Sequence, residues 1–362
     1  MKLNKNYFAV IMAGGIGSRF WPMSTQEHPK QFHDLLGSGS TLLQKTFQRF
    51  SSICPTENIY IVTNERYREV VKRQLPEIGH TQILGEPMAR NTAPCLAFAL
   101  QHIKLKNPDA SMVVAPSDHL IMDETKFETS IHKALQFAAN NDVLITLGIQ
   151  PTRPDTGYGY IQFHDDRNKE GFFKVKTFTE KPNREMAEYF LQTGEFLWNA
   201  GIFIWSARSI ENAFNKHLPQ LQEAFNKGSK LYGTEGEKAF VAKTYETSNI
   251  VSIDYGIMEK ADNVYVMPAT FEWSDVGTWD AVYTLMKKDS QQNVVKGDHV
   301  YLRNSSGSLV MVPDGKLVAL NGVENLIVVE HDNLLLITER SREQEIRHIV
   351  NELKLKYNGK FT

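Results

Sequence analysis

The chain has 362 residues, 41% of them hydrophobic, with 40 basic and 42 acidic side chains and a formal net charge of −2. That length predicts one large domain with a smaller one, or two domains, and the hydrophobic share suffices for a substantial core. The charge balance excludes a general nucleic-acid binder, which needs an excess of Lys and Arg on one face, and no apolar run approaches the roughly 20 residues that span a bilayer. Cys54 and Cys95 give neither a disulfide framework nor a zinc spacing, which points to a reducing compartment. The polar, basic residues 1–6 lack a secretory apolar core, so a cytoplasmic protein is expected.

Residues 8–12 form an apolar run of strand length, suited to burial on both faces. Gly14, Gly15 and Gly17 follow it. Three glycines in four positions permit positive φ and a close approach of backbone to a bulky ligand, and successive exposed N–H groups make an anion-binding concavity. Arg19 and Lys30 add fixed positive charge, and an arginine grips phosphate oxygens through two parallel hydrogen bonds. The stretch therefore reads as a phosphate-holding loop after a first strand. Walker-loop spacing is absent. The dinucleotide fingerprint fails as well, because Phe20 stands at its third glycine and no acidic residue ends a second strand about twenty residues on.

A helix is predicted from residue 40, with Leu43, Phe47 and Phe50 on one face. A strand at 59–63, a helix from 64, a short strand at 83–84 and a helix over 92–106 follow. Next come a strand at 112–115, a helix over 127–140 and a strand at 143–147. This alternation implies a mostly parallel sheet with helices on both faces, whose ligands lie beyond the C-terminal ends of the strands. The glycine loop and Ser117-Asp118-His119 both stand at such ends. From Pro151 the rhythm changes. Residues 153–161 are turn-rich and then strand-like, and 173–179 is a strand closed by Glu180-Lys181-Pro182. A helix over 184–192 precedes 198–205, a loop entering a strand. A polar, mostly helical insert occupies 210–247, and segments 252–260 and 264–267 follow.

Past about residue 290, short strands at 300–303, 309–312, 317–320, 326–330 and 334–338 are separated in several places by Asn-Gly, Asp-Gly and Ser-Gly turns. They fit a small β-solenoid or sandwich. A terminal helix over 341–355 carries Ile346, Ile349, Val350 and Leu353 on one face, for docking on a core or for a dimer contact. The expected division is a domain over 1–288 and a small β-rich domain with a terminal helix over 289–362.

Gly14-Gly15-Ile16-Gly17-Ser18-Arg19, followed by Pro29-Lys30-Gln31-Phe32, resembles the sugar-nucleotide pyrophosphorylases. These nucleotidyltransferases load a sugar 1-phosphate onto a nucleoside monophosphate. Within them the likeness is to the mannose-1-phosphate guanylyltransferase branch. It covers roughly residues 7–285, and the later strands more loosely. It implies an α/β fold with a Rossmann-like, GT-A-like mixed sheet flanked by helices, plus a β-helix-like C-terminal domain. It also implies nucleotide contacts from Ala13, Gly14, Gly15, Gly17, Ser18, Arg19 and Ser117. Glu86, Arg90, Asn91 and Thr92 are implied to line the nucleobase pocket; many members have a glycine where Ala89 stands.

For the acceptor sugar phosphate the resemblance implies Tyr158, Gly159, Glu180, Lys181, Asn199 and Asp254. Pro116-Ser117-Asp118-His119 and Trp273-Ser274-Asp275-Val276-Gly277 match family segments whose aspartates coordinate magnesium. Asp118 and Asp275 are thus the expected ligands of Mg²⁺ or Mn²⁺, since a hard dication held by carboxylates relieves repulsion between two polyanions. His119 is expected beside them as a supporting residue, because soft nitrogen suits Mg²⁺ poorly.

The implied reaction transfers GMP from GTP to α-D-mannose 1-phosphate, giving GDP-mannose and pyrophosphate. Arg19, Lys30 and Lys181 are the expected catalytic cations: Arg19 on the leaving phosphates, Lys30 near the α-phosphate and Lys181 on the nucleophile. One alternative is the same chemistry with another pair, such as UTP and glucose 1-phosphate. The other is a non-catalytic nucleotide-sensing scaffold, though such proteins typically lose the loop arginine or a metal aspartate. Some bacterial members carry an extra isomerase domain; the chain ends at Thr362, so transferase activity alone is expected. The expected partners are GTP and mannose 1-phosphate, with no nucleic acid and no membrane, and a homodimer is left open.

Overall fold

A computed structural model of the chain describes residues 3–164 and 170–362, so Met1 and Lys2 of the polar N-terminal segment lie outside it. The first half runs β1 (Tyr7–Ala13), α1 (Leu42–Ser51), β2 (Ile59–Asn64), α2 (Arg68–Gln74), β3 (Ile83–Glu86), α3 (Thr92–Lys106), β4 (Ser111–Pro116), β5 (Leu120–Ile121), α4 (Glu124–Asn140) and β6 (Leu144–Ile149). It continues with β7 (Tyr160–Phe163), β8 (Phe173–Thr179), α5 (Arg184–Thr193), β9 (Phe196–Ser206), α6 (Ala207–His217), α7 (Pro219–Asn226), α8 (Glu237–Thr247), β10 (Val264–Pro268) and β11 (Trp273–Ser274). The remainder is α9 (Trp279–Leu285), β12 (Val294–Lys296), β13 (His299–Arg303), β14 (Leu309–Met311), β15 (Leu317–Asn321), β16 (Leu326–His331), β17 (Leu334–Glu339) and α10 (Ile346–Lys356).

The chain divides into two compact units. The first takes the chain up to Gly14 and adds Thr46–Ser117 and Ile121–Trp273. Its nine-stranded sheet has the order β3-β2-β1-β4-β9-β6-β10-β8-β7. β1 lies parallel between β2 and β4, as helical crossovers require. Phe8 and Val10 pack with Phe98 and Leu100 of α3 and with Ile210 and Phe214 of α6. Ala9 and Ile11, which alternate to the other face, are equally buried, so both faces are covered.

The sheet is mixed, as the resemblance implies, and the mostly parallel sheet read from strand–helix alternation alone is corrected. β9 enters its middle antiparallel to both β4 and β6, and β7 and β8 pair antiparallel beside it. Strand–helix alternation reports only connections that pass through a helix. It is silent on a long strand such as β9, which is apolar almost throughout and buried along most of its length. The strand also begins at Phe196, so the stretch read as a loop entering a strand is strand already.

The second unit gathers three separate stretches, Gly15–Lys45, Asp118–Leu120 and Ser274–Thr362. Its C-terminal strands form a solenoid and not a sandwich. β12, β14 and β16 stack in parallel, with Val294, Leu309 and Ile327 in one buried register column, and β17 closes the stack antiparallel. β13 and β15 make a second parallel pair. One core joins these coils to the other stretches: Phe20, Trp21 and Leu35 pack in a cluster with Trp279, Leu309, Ile327, Ile346 and Val350. The predicted terminal helix opens as a 3₁₀ turn over Arg340–Glu345 before α10 begins.

Candidate active site

In the second unit the glycine loop turns at Gly17, whose φ of 75° is left-handed. A Cβ there would sit 2.5 Å from the Lys30 Cβ, so only glycine lets the lysine segment pass this close. The Lys30 N–H donates to the Ile16 carbonyl (3.1 Å), and the Ser24 hydroxyl donates to the same carbonyl. The N–H groups of Gly15, Ile16, Gly17, Ser18 and Arg19 donate no hydrogen bond among the described residues. The loop is thus shaped while its donors stay available.

A polar cavity of about 270 Å³ is lined by this loop from Gly17 to Phe20 together with Lys30, Asp118, His119, Asp275, Gly277 and Arg347. Lys30 is buried, and its ammonium ties the segments together. It donates to Asp118 Oδ2 at 2.9 Å and to the Asp275 carbonyl at 2.8 Å, and it stands 5.3 Å from the centre of the Phe20 ring. Burial would push the Asp118 carboxyl up, but Lys30 and then His119 outweigh it and hold Asp118 below the usual aspartate value. Arg19 has a buried Nε with no hydrogen-bond partner among the described residues.

Asp275 is presented by a strained backbone. Val276 has a φ of 44°, a conformation costly for a β-branched residue. It is held there by full burial of its side chain in the core with Phe20 and Trp279, and by its N–H bond to Ser274 Oγ (3.1 Å). Gly277 donates its N–H to Asp275 Oδ1 at 3.1 Å, and a Cβ at 277 would meet that carboxylate at 2.5 Å.

Two carboxylates in one cavity, with an ammonium already bonded to the Asp118 carboxylate and the Asp275 carbonyl, form a hard oxygen donor set. It fits Mg²⁺ or Mn²⁺, which take one or two carboxylates and complete their shell with phosphate and water. No group of three or more His, Cys, Asp or Glu side chains assembles as a metal nest among the described residues. An ion here would therefore rely on phosphate oxygens for its other ligands.

The first unit holds the remaining predicted residues in two groups. In one, Glu86 at the end of β3 is buried and accepts the Tyr245 hydroxyl at Oε1 (3.0 Å). Its Oε2 faces Gly14, where a Cβ would lie 3.5 Å away. Burial pushes Glu86 up to about 7 despite the tyrosine bond. Asn91 (φ 67°) caps α3 by accepting the Thr92 N–H, and Thr92 Oγ1 accepts the Ile253 N–H at 2.8 Å. Arg90 donates to the carbonyls of Tyr245 (2.9 Å) and Glu246 (3.2 Å), which occupies part of its guanidinium with α8. Ala13 and Ser117 contribute backbone to the sheet end. The Ala13 carbonyl accepts Thr63 Oγ1, and the Ser117 N–H donates to Met12.

The other group is Tyr158, Gly159, Glu180, Lys181, Asn199 and Asp254. Lys181, with a φ of 49°, donates its N–H to the Tyr158 carbonyl at 3.2 Å, and its ammonium pairs with Glu180 Oε1. Glu180 Oε2 is buried without a hydrogen-bond partner among the described residues. Gly159 leaves room for it, since a Cβ would stand 2.4 Å from that oxygen. Asn199 accepts Thr146 Oγ1 (2.8 Å) and donates to Asp254 Oδ1 (3.0 Å). Burial, with Glu180 nearby, pushes Asp254 up to about 6. Asp254 opens a π-helical turn, Asp254–Met258, a form that concentrates at functional sites.

Sequence reasoning reached neither Tyr245 nor Arg347. Both lie on helices whose periodic pattern reports only the buried stripe, and no motif marks them.

The sheet and the phosphate loop define a nucleotidyltransferase. The family model described as nucleotidyl transferase matches residues 8–292, and the one described as MannoseP isomerase/GMP-like beta-helix domain matches 297–353. The chain belongs to the nucleotidyl transferase family. It is 37% identical over 354 residues to a mannose-1-phosphate guanylyltransferase of Klebsiella pneumoniae, covering 95% of this chain and 73% of that protein. Its identity to a mannose-1-phosphate guanylyltransferase of Escherichia coli is 36% with the same coverage. Among solved structures, a Thermus thermophilus protein described as mannose-1-phosphate geranyltransferase superposes with a TM-score of 0.86 at 30% identity, covering 96% of this chain and 99% of the other. No helix among the described residues is long and apolar enough to cross a membrane.

Proposed function

We propose that the chain transfers GMP from GTP to α-D-mannose 1-phosphate, releasing pyrophosphate and forming GDP-mannose. The reading rests on one observation. Arg19, with a buried and unpartnered Nε, lines the same cavity as Lys30, Asp118 and Asp275, beside a loop whose N–H groups are unused. That is the donor set of a polyphosphate site.

In the proposed step a phosphate oxygen of mannose 1-phosphate attacks the α-phosphorus of GTP. The new P–O bond forms as the bond to the β-phosphate breaks, and the electron pair leaves with pyrophosphate. Arg19 and the loop amides hold that leaving group, and Lys30 neutralises charge at the α-phosphate. Glu180 and Lys181 hold the nucleophile: Lys181 binds its phosphate and the buried, unpartnered Oε2 of Glu180 accepts a sugar hydroxyl. Glu86, fixed by Tyr245, reads the guanine edge, whose N1–H and amino group are both donors. Asp118 and Asp275 would hold Mg²⁺ or Mn²⁺, which when bound neutralises phosphate charge.

The test is a steady-state panel of four nucleoside triphosphates against several sugar 1-phosphates, following pyrophosphate release with and without Mg²⁺. GTP with mannose 1-phosphate is expected to give the highest kcat/KM. A higher value for UTP with glucose 1-phosphate, or no magnesium-dependent release from any pair, overturns the proposal.

A further inference from the structure

We propose that Arg347, on the terminal helix α10, is a second phosphate-contact residue, which together with Arg19 holds the β- and γ-phosphates of the nucleotide and the pyrophosphate they become. The inference rests on the reading of the cavity just given and adds a residue to it.

Three observations carry it. The first is place: Arg347 lines the cavity that Arg19, Lys30, Asp118 and Asp275 line. The second is how it is held there. Ile346 and Val350, one helical turn apart, are buried in the core with Phe20 and Trp21, which fixes the rotation of α10. Residue 347 follows 346 by about 100° around the axis, at the flank of that buried stripe.

Both ends of the helix are fastened. Arg340 donates to Asp280 Oδ1 at 3.1 Å and to the Gly307 carbonyl at 2.7 Å, and its guanidinium stands 3.6 Å from the centre of the Tyr283 ring. Glu343 accepts the Asp280 N–H at 2.8 Å. Beyond the helix, the Phe361 carbonyl accepts the Trp21 indole N–H at 2.7 Å. An arginine on such a support has a fixed base, which suits recognition better than one on a loose tail.

The third observation is vacancy of function. Neighbouring Arg340 and Arg342 are engaged with Asp280 and Glu345, whereas Arg347 makes no ion pair among the described residues. Lys30 is bonded to Asp118. Arg19 and Arg347 are therefore the guanidinium groups in the cavity whose donors remain for a polyanion.

The experiment titrates the full chain with inorganic pyrophosphate and Mg²⁺ by calorimetry, and measures both directions of the reaction, for the unaltered protein, Arg347→Ala and Arg347→Lys. Loss of a charged hydrogen bond should raise the pyrophosphate Kd and the GTP KM roughly 10- to 100-fold in Arg347→Ala. The KM for mannose 1-phosphate should stay unchanged, and Arg347→Lys should recover part of the loss as a point charge. Unchanged pyrophosphate affinity in Arg347→Ala overturns the assignment. So does an equal rise in the mannose 1-phosphate KM with a lowered Tm, which marks a merely structural role. An unaltered protein that releases no pyrophosphate from GTP sinks the reading of the cavity and this inference with it. An active unaltered protein whose GTP KM and pyrophosphate Kd are matched by those of Arg347→Ala sinks the inference alone.

Discussion

Arg19 and Glu86 show how single side chains are prepared before any ligand arrives. Arg19 keeps a buried donor unmatched, which costs stability in the absence of an anion and favours binding one. Replacing Arg19 by Ala should therefore lower kcat by about 10²- to 10³-fold, in the range of losing one transition-state donor, with the thermal transition little changed. Steady-state turnover and a melting curve on the same sample check both halves. Glu86 carries a proton up to a pH of about 7, against 4.5 for an ordinary glutamate. In the proposed function its ionised form accepts from guanine, so kcat/KM for GTP should rise between pH 6 and pH 8, and Glu86→Gln should flatten that rise. Stability runs the other way. Between pH 4.5 and 7 the folded state binds the extra proton, so this group's contribution is full below 4.5 and is lost as the pH climbs through 7. Melting temperatures of the unaltered protein and of Glu86→Gln across that range measure it.

At the scale of elements, the glycine loop and the segment around Lys30 work as one piece. Gly17→Ala would force an L-residue to hold a φ of 75° and place its Cβ 2.5 Å from the lysine Cβ. The strain amounts to about 1–2 kcal/mol, and the clash displaces Lys30 from Asp118. The expected result is a Tm lowered by a few degrees with a much larger loss of turnover; an active Gly17→Ala would show that the close passage is dispensable. Much of this was legible from residues alone. Three glycines, an arginine and a lysine at short intervals read as an anion loop, Asp118 stands at a strand end and Asp275 in a motif of the resemblance, and Arg19, Lys30 and both aspartates line one cavity. The strain at Val276 was not legible, because a valine after an aspartate reads as a strand residue until the core that traps it is seen. Tyr245 and Arg347 escaped for a related reason. Helical periodicity identifies which side faces the core; it does not say that buried Tyr245 meets Glu86, or what exposed Arg347 meets at the flank.

Across the whole molecule, the second unit is assembled from three stretches, of which the first and last lie more than two hundred residues apart in sequence. Local patterns foresaw the terminal strands and the helix, but not that Phe20, Trp21 and Leu35 would share a core with them, since long-range partnership leaves no mark on spacing. A chain stopped at residue 288 would strip Val294, Leu309, Ile327, Ile346 and Val350 from that core. Each such side chain contributes roughly 1.5–3 kcal/mol on burial. The shortened protein should release no measurable pyrophosphate, and limited proteolysis should cut first within residues 15–45. Full turnover by it would show that the loop keeps its form unaided.

The bond from Trp21 to the carbonyl of Phe361 sets an order of events during synthesis. The two partners of that bond lie 340 residues apart, so a ribosome delivers the phosphate loop long before the helix that buttresses it. Until that helix emerges, the nascent polypeptide displays its glycines and arginine without the scaffold that aims them. On the proposed reading, competence waits for that helix, and polypeptides abandoned before it would stay silent toward the cell's nucleotides.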